Sequence, residues 1–163
     1  MSVGDSRLFP RLVDERLIFP DLGGTTVEEA LGELSAGLSR AGVVKDAEDL
    51  ARRLIERERI GTTGLGGGIA IPHCKVHGLA DVVLAVAVSR SGVDFRAADG
   101  VPVTLIFLVL SPAEAPALHL QALARISRVI RMPGVAESIR TAGTVGEIAT
   151  HLRDAEREPA VPI

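Results

Sequence analysis

Two nearly unbroken apolar runs, residues 82–89 (VVLAVAVS) and 101–110 (VPVTLIFLVL), constrain this chain more than any other feature. A strand with one wet face alternates apolar and polar residues, and these runs offer water no polar face. Each must be covered on both sides, so helices are expected above and below a central sheet. Membrane insertion is the competing explanation, because 47% of the residues are hydrophobic and mean hydropathy is positive. It fails on length. Residues 79–88 include Asp81 and residues 101–110 include Pro102 and Thr104, and each run is about half of the ~20 residues a spanning helix needs.

The segments around these runs read as helices and turns. Leu17-Ile18-Phe19 is a short strand stopped by Pro20 and the Gly23-Gly24 pair. Thr25 and Glu28 form a capping-box pattern, and Val27, Leu31, Leu34 and Leu38 repeat at helical spacing until Gly42. Asp46 opens a second helix, apolar at Leu50, Leu54 and Ile55 and charged on its other side, ending near Ile60-Gly61. Residues 91–100 (SGVDFRAADG) read as a polar turn between the two buried strands. Pro116 suits the first turn of a helix running to about Arg131, and shorter helices are expected near 135–141 and 145–155. The tail 157–163 reads as frayed. The fold class expected is α/β, a three-layer α/β/α sandwich with a central mixed β-sheet and helices on both faces. At 163 residues, against a prior of about 150 per domain, one domain is expected over 1–163 with its core at about 8–155.

Composition narrows the function. Four Phe with no Trp or Tyr leave no aromatic platform for bases or sugars. Eighteen basic and 21 acidic residues give a net charge of −3 without a basic block, so neither a nucleic-acid partner nor an anionic membrane surface has electrostatic support. A single Cys forms no internal disulfide, and Asp5 and Pro10 interrupt what a signal peptide would need. A cytoplasmic setting without membrane insertion is expected.

Residues 61–78 (GTTGLGGGIAIPHCKVHG) break every periodicity, with six glycines, and only residues 69–71 are expected to form a strand. A P-loop is excluded because no Lys lies between Lys45 and Lys75, and the dinucleotide fingerprint fails because a helix, not a strand, precedes the glycines. The loop offers Thr62 and Thr63 hydroxyls and the backbone N–H groups of Gly64 and Gly66 as an anion cradle leading to Pro72-His73. An anion site beside a neutral imidazole suits phosphoryl chemistry, with His73 as nucleophile; a histidine packed in a turn is the plain alternative. His119 falls on the apolar stripe of its helix with Leu123, Ile126 and Ile130. Such a histidine is ordinarily a core residue, but its place in the first turn, near the N-terminal donors, also suits a phosphoryl group carried by His73.

The run from Glu58 to Cys74 (ERIGTTGLGGGIAIPHC) resembles the active-site signature of the type-2 (fructose/mannitol) enzyme IIA domains of the bacterial phosphoenolpyruvate:sugar phosphotransferase system. Glu58 is followed, after six residues, by Leu65-Gly66, then by Ile69-Ala70-Ile71-Pro72-His73 and the small Cys74. The likeness continues through DFRAADGVPVTLIFLVLSP and HLQALARISRVIR, covers about residues 8–155, and is greatest toward the solitary nitrogen-regulatory IIA proteins. The resemblance implies that His73 accepts a phosphoryl group from the phosphohistidine of HPr or a paralogue. It implies that the group passes to a IIB component or is held as a signal to a regulatory target. By position it makes His119 the second active-site histidine and Arg57 the phosphate-binding arginine; taken alone, Arg57 reads as one of several solvated charges. Cys74 departs from the glycine usual there.

No cofactor is expected. A metal site from His73, Cys74 and His77 is disfavoured, since adjacent residues in extended backbone point to opposite sides and no acidic cluster completes a ligand set. Cys74 lacks an orienting partner for nucleophilic work, His77 reads as a rim residue and His151 as a surface one. The expected function is a phosphotransferase-type phosphocarrier. The alternatives are a regulatory binding protein whose phosphorylation sets partner affinity and, more remotely, a Cys/His metal protein. The absence of attached IIB and IIC sequence tilts the expectation toward regulation.

Overall fold

The computed structural model describes residues 9–156. The expected frayed tail lies outside the described residues, as does most of the N-terminal segment. In chain order the elements are α1 (Phe9–Leu12), β1 (Ile18–Phe19), α2 (Val27–Arg40), α3 (Ala47–Ile60), β2 (Gly64–Gly66), β3 (Ile69–Ala70), β4 (His73–Val76), β5 (Val83–Val93), β6 (Val103–Pro112), α4 (Pro116–Ile130), α5 (Val135–Thr141) and α6 (Val145–Ala155), with a single 3-10 turn at Glu15–Leu17.

The two apolar runs become β5 and β6, which pair antiparallel at the centre of a six-stranded sheet ordered β1-β5-β6-β3-β2. β1 joins β5, and β3 joins β6, in parallel, so the sheet is mixed. Residue alternation along β6 sends Leu105, Phe107 and Val109 to one face and Ile106, Leu108 and Leu110 to the other, all fully buried. The first face packs under α4, α5 and α6 through Ile126, Ile139, Ile148 and Leu152. Leu31, Leu34, Leu38, Leu50 and Leu54 of α2 and α3 cover the second. This is the expected α/β/α sandwich, and its cause is the one inferred from the sequence: both faces of the central strands are apolar.

Three expectations need correction. The cap of α2 is Thr26, whose Oγ accepts from Glu29 N–H at 3.1 Å, and not Thr25 with Glu28. Paired Thr and paired Glu residues offer two registers one residue apart. The structure uses the later one, and Gly24 lies so close to that first turn that a Cβ there would stand 2.8 Å from Ala30 N. The segment 91–100 is not simply a polar turn, since β5 continues past a bulge to Val93, and Val93 and Phe95 are buried. Gly92 permits this with φ +84° at a point where a Cβ would meet the Pro102 ring. The glycine loop is also more ordered than expected. β2 and β3 form an antiparallel hairpin turned at Gly67-Gly68, both at positive φ.

β4 was also not expected, and it positions the site. β3 and β4 pair with the same edge of β6 in one register, Ile69 opposite Leu105 and His73 opposite Val109. Pro72 interrupts this line because it has no N–H to donate, yet its carbonyl still accepts from Val109 N–H at 2.9 Å. His73 thus starts a strand whose height and face β6 dictates.

Candidate active site

Alternation along the β3–β4 line puts Ile69, Ile71 and His73 on the face covered by α4, and Cys74 on the α3 side. His119, in the first turn of α4, is buried on the same face as His73. The two rings come together with centroids 5.3 Å apart and planes tilted by 54°. Arg57, in the last turn of α3, reaches the same place from the other layer. It borders with His73, Thr62, Thr63, Leu65 and Leu123 a groove of about 380 Å³.

The ring nitrogens are not equivalent. His73 Nδ1 lies 2.8 Å from the carbonyl of Ile71. A carbonyl only accepts, so Nδ1 carries the proton and the neutral ring keeps a lone pair on Nε2. Burial pushes the His73 pKa below its ordinary value, and nearby Arg57 acts the same way; the Ile71 carbonyl and Glu58 oppose them. Burial, then the charges of His73, Lys75 and Arg57, also lower His119. Both rings are therefore neutral at neutral pH.

These shifts carry a sign for stability. The unfolded imidazole titrates near about 6.5 and binds protons before the folded one does as pH falls. The contribution of the two neutral rings is complete above that value and is lost as pH drops through their folded-state pKa values. Melting temperature is expected to fall from about pH 7 to about pH 5.5, and to fall less when His73 and His119 are both replaced by Gln. Equal pH slopes in the two proteins would refute this.

The loop donors have other work than the expected anion cradle. Thr63 gives both its N–H (2.7 Å) and its hydroxyl (2.6 Å) to the Glu58 carboxylate. Thr62 Oγ donates to the Phe95 carbonyl and accepts from Gly64 N–H. Gly66 pairs with Ile69, and Gly67 N–H donates to Asp99 at 2.8 Å. Thr62 and Thr63 therefore line the groove, while Gly64 and Gly66 belong to the β2 strand of the hairpin. Arg57 differs. Its Nη1 donates to Gly61 O at 3.0 Å, and no other protein partner engages its guanidinium among the described residues.

Arg57 and His73 thus line one groove, and the His119 ring lies against that of His73. The family model described as "Phosphoenolpyruvate-dependent sugar phosphotransferase system, EIIA 2" matches residues 11–155. The chain belongs to this family. A nitrogen regulatory protein of Bradyrhizobium diazoefficiens is 38% identical over 129 residues, or 79% of this chain and 84% of that protein. The fructose-specific EIIABC component of Bacillus subtilis is 31% identical over 134 residues, or 82% of this chain and only 19% of that longer protein. Among solved structures, the nitrogen regulatory protein IIA-Ntr of Neisseria meningitidis superposes with a TM-score of 0.79 at 30% identity, covering 87% of this chain and 97% of that one.

In this EIIA 2 chain the remaining candidates stand apart from the groove. The Cys74 thiol is pushed up to about 11 by burial, so it stays protonated at neutral pH. His77 sits exposed against Glu114 at 3.0 Å, and His151 is on the surface. No group of three or more His, Cys, Asp or Glu among the described residues could hold a metal ion, and no helix among them is long and apolar enough to cross a membrane. Two contacts beside the candidate residues were not visible in the sequence. Glu58 matched the signature, but its grip on Thr63 was not visible. Ser111, fully buried at the end of β6, has its Oγ 2.8 Å from His119 Nδ1. Only the step from β6 into α4 brings Ser111 and His119 together.

Proposed function

We propose that this chain is a phosphocarrier in which Nε2 of His73 takes a phosphoryl group from the phosphohistidine of HPr or a paralogue. The observation that carries the reading is the contact of His73 Nδ1 with the Ile71 carbonyl: it holds the proton on Nδ1 and leaves Nε2 bare on a ring that lines a groove with Arg57 and lies against His119. In the transfer the Nε2 lone pair attacks phosphorus in line while the donor's N–P bond breaks, and that electron pair returns to the donor's ring nitrogen. Arg57 and His119 bind the phosphoryl oxygens. No metal, nucleotide or other cofactor takes part in this step. The cytoplasm, where the donor cascade works, is the proposed setting.

Exposed apolar side chains near the site support protein docking, because the donor must bring its own phosphohistidine to attack distance. Leu65 lines the groove and is 37% exposed, and Leu120, next to His119, is 70% exposed. The onward partner is a IIB component or a regulatory target. The nitrogen regulatory names of two relatives favour the second. A phosphoryl group added beside an apolar rim changes both charge and hydration there, and so switches partner affinity.

The test is incubation with phosphoenolpyruvate, enzyme I and HPr, or with a paralogous donor pair. One acid-labile phosphoryl group per chain is expected, with binding to the regulatory target differing between the two forms. No uptake from either donor pair rejects the carrier reading. Uptake followed by rapid transfer to IIB, without a change in target binding, replaces regulation by transport.

A further inference from the structure

The two facing histidines have their protons set by partners of different kinds. His73 meets a carbonyl, which leaves no choice; His119 meets the hydroxyl of Ser111, which can donate or accept. Burial resolves it. Ser111 is fully buried, and its side chain has no partner other than His119 Nδ1 among the described residues. Were the proton on Nδ1, the hydroxyl hydrogen would be shut away from water with nothing to accept it. With the hydroxyl donating to Nδ1, both groups are satisfied and the ring proton sits on Nε2.

We propose that Ser111 is a positioning residue that holds His119 in its Nε2–H form, the tautomer opposite to that of His73. The pair then offers one bare Nε2 and one Nε2–H. Two bare nitrogens would repel the oxygens of an incoming phosphoryl group, and two N–H groups would leave no nucleophile. The backbone supports this division of labour. Ser111 lies opposite Lys75 in the same β4–β6 ladder that sets His73 opposite Val109, so one pair of strands fixes both the nucleophile and the group that orients its neighbour. The Ser111 hydroxyl ties the first turn of α4 to that ladder.

The inference rests on the phosphocarrier reading only for its effect on rate. Its direct test is long-range proton–nitrogen NMR of the imidazoles in the unphosphorylated, nitrogen-15-labelled protein at neutral pH. Wild type is expected to show His119 protonated on Nε2 and His73 on Nδ1. Ser111→Ala should give His119 a detectable Nδ1–H population, leave the His73 tautomer unchanged, and slow phosphoryl uptake roughly tenfold, the lower end for loss of an orienting partner. Ser111→Thr, which keeps the hydroxyl, should restore both tautomer and rate. Finding His119 protonated on Nδ1 in wild type overturns the inference. So does a Ser111→Ala protein with His119 wholly Nε2–H and a wild-type rate. A wild-type protein with the assigned tautomers that takes up no phosphoryl group rejects the carrier reading and leaves the assignment standing.

Discussion

His73→Ala is expected to take up no phosphoryl group from phospho-HPr, while melting close to wild type. The two halves of this expectation have separate causes. Loss of the imidazole removes the only bare ring nitrogen that the site holds in place, and no neighbour substitutes for it. Cys74 points to the opposite face and keeps its proton at neutral pH. His77 is bound to Glu114 at the surface. The stability effect is small because the His73 ring is only half-buried and makes one hydrogen bond, to the Ile71 carbonyl. His77→Ala, made alongside, should behave as wild type. Uptake that persists in His73→Ala would move the nucleophile elsewhere.

Arg57→Ala should slow transfer by about 10² to 10³, the usual cost of removing one fixed donor to developing charge. Its Nη1 is anchored on the Gly61 carbonyl, which fixes the direction of the fork while leaving its other N–H groups open to a phosphoryl oxygen. Arg57→Lys keeps the charge but loses the paired donors, and should recover only part of the rate. A second readout separates an electrostatic role from a structural one. Arg57 lowers the His73 pKa, so Arg57→Ala should raise it, with the ring still neutral at neutral pH because burial is the larger cause. A wild-type rate in Arg57→Ala would remove the residue from the site.

Much of this architecture was legible because the central strands are apolar on both faces. That pattern has few solutions, and the helices that cover the sheet show their own period at Leu31, Leu34 and Leu38 and at Leu50 and Leu54. The failures lie where local signals were degenerate or non-local. Thr25-Thr26 and Glu28-Glu29 offered two caps one residue apart, and the local pattern does not separate them; the fold uses Thr26 with Glu29. The Gly67-Gly68 pair was a readable hairpin turn, hidden by treating all the glycines as one irregular loop. Its neighbouring strand β4 had no alternating pattern of its own and owes its existence to the edge of β6.

The site was legible in the same uneven way. The structure brings His73 together with His119 and Arg57, residues far apart in the chain. The loop hydroxyls and N–H groups looked free because their acceptors lie elsewhere in the fold: Glu58 one helical turn back, and Phe95 and Asp99 beyond β5. Hydrogen-bond donors in a glycine loop show their availability only once those partners are placed. Ser111 was invisible for the same reason, since a serine at a strand end says nothing about which imidazole it will meet.

The central claim is that the fold prepares one particular nitrogen, and phosphorus–nitrogen NMR of the phosphorylated, nitrogen-15-labelled chain tests it most directly. The phosphorus resonance should couple to Nε2 of His73, with Nδ1 still protonated and bonded to the Ile71 carbonyl. Coupling to Nδ1 of His73, or to any nitrogen of His119, would contradict it.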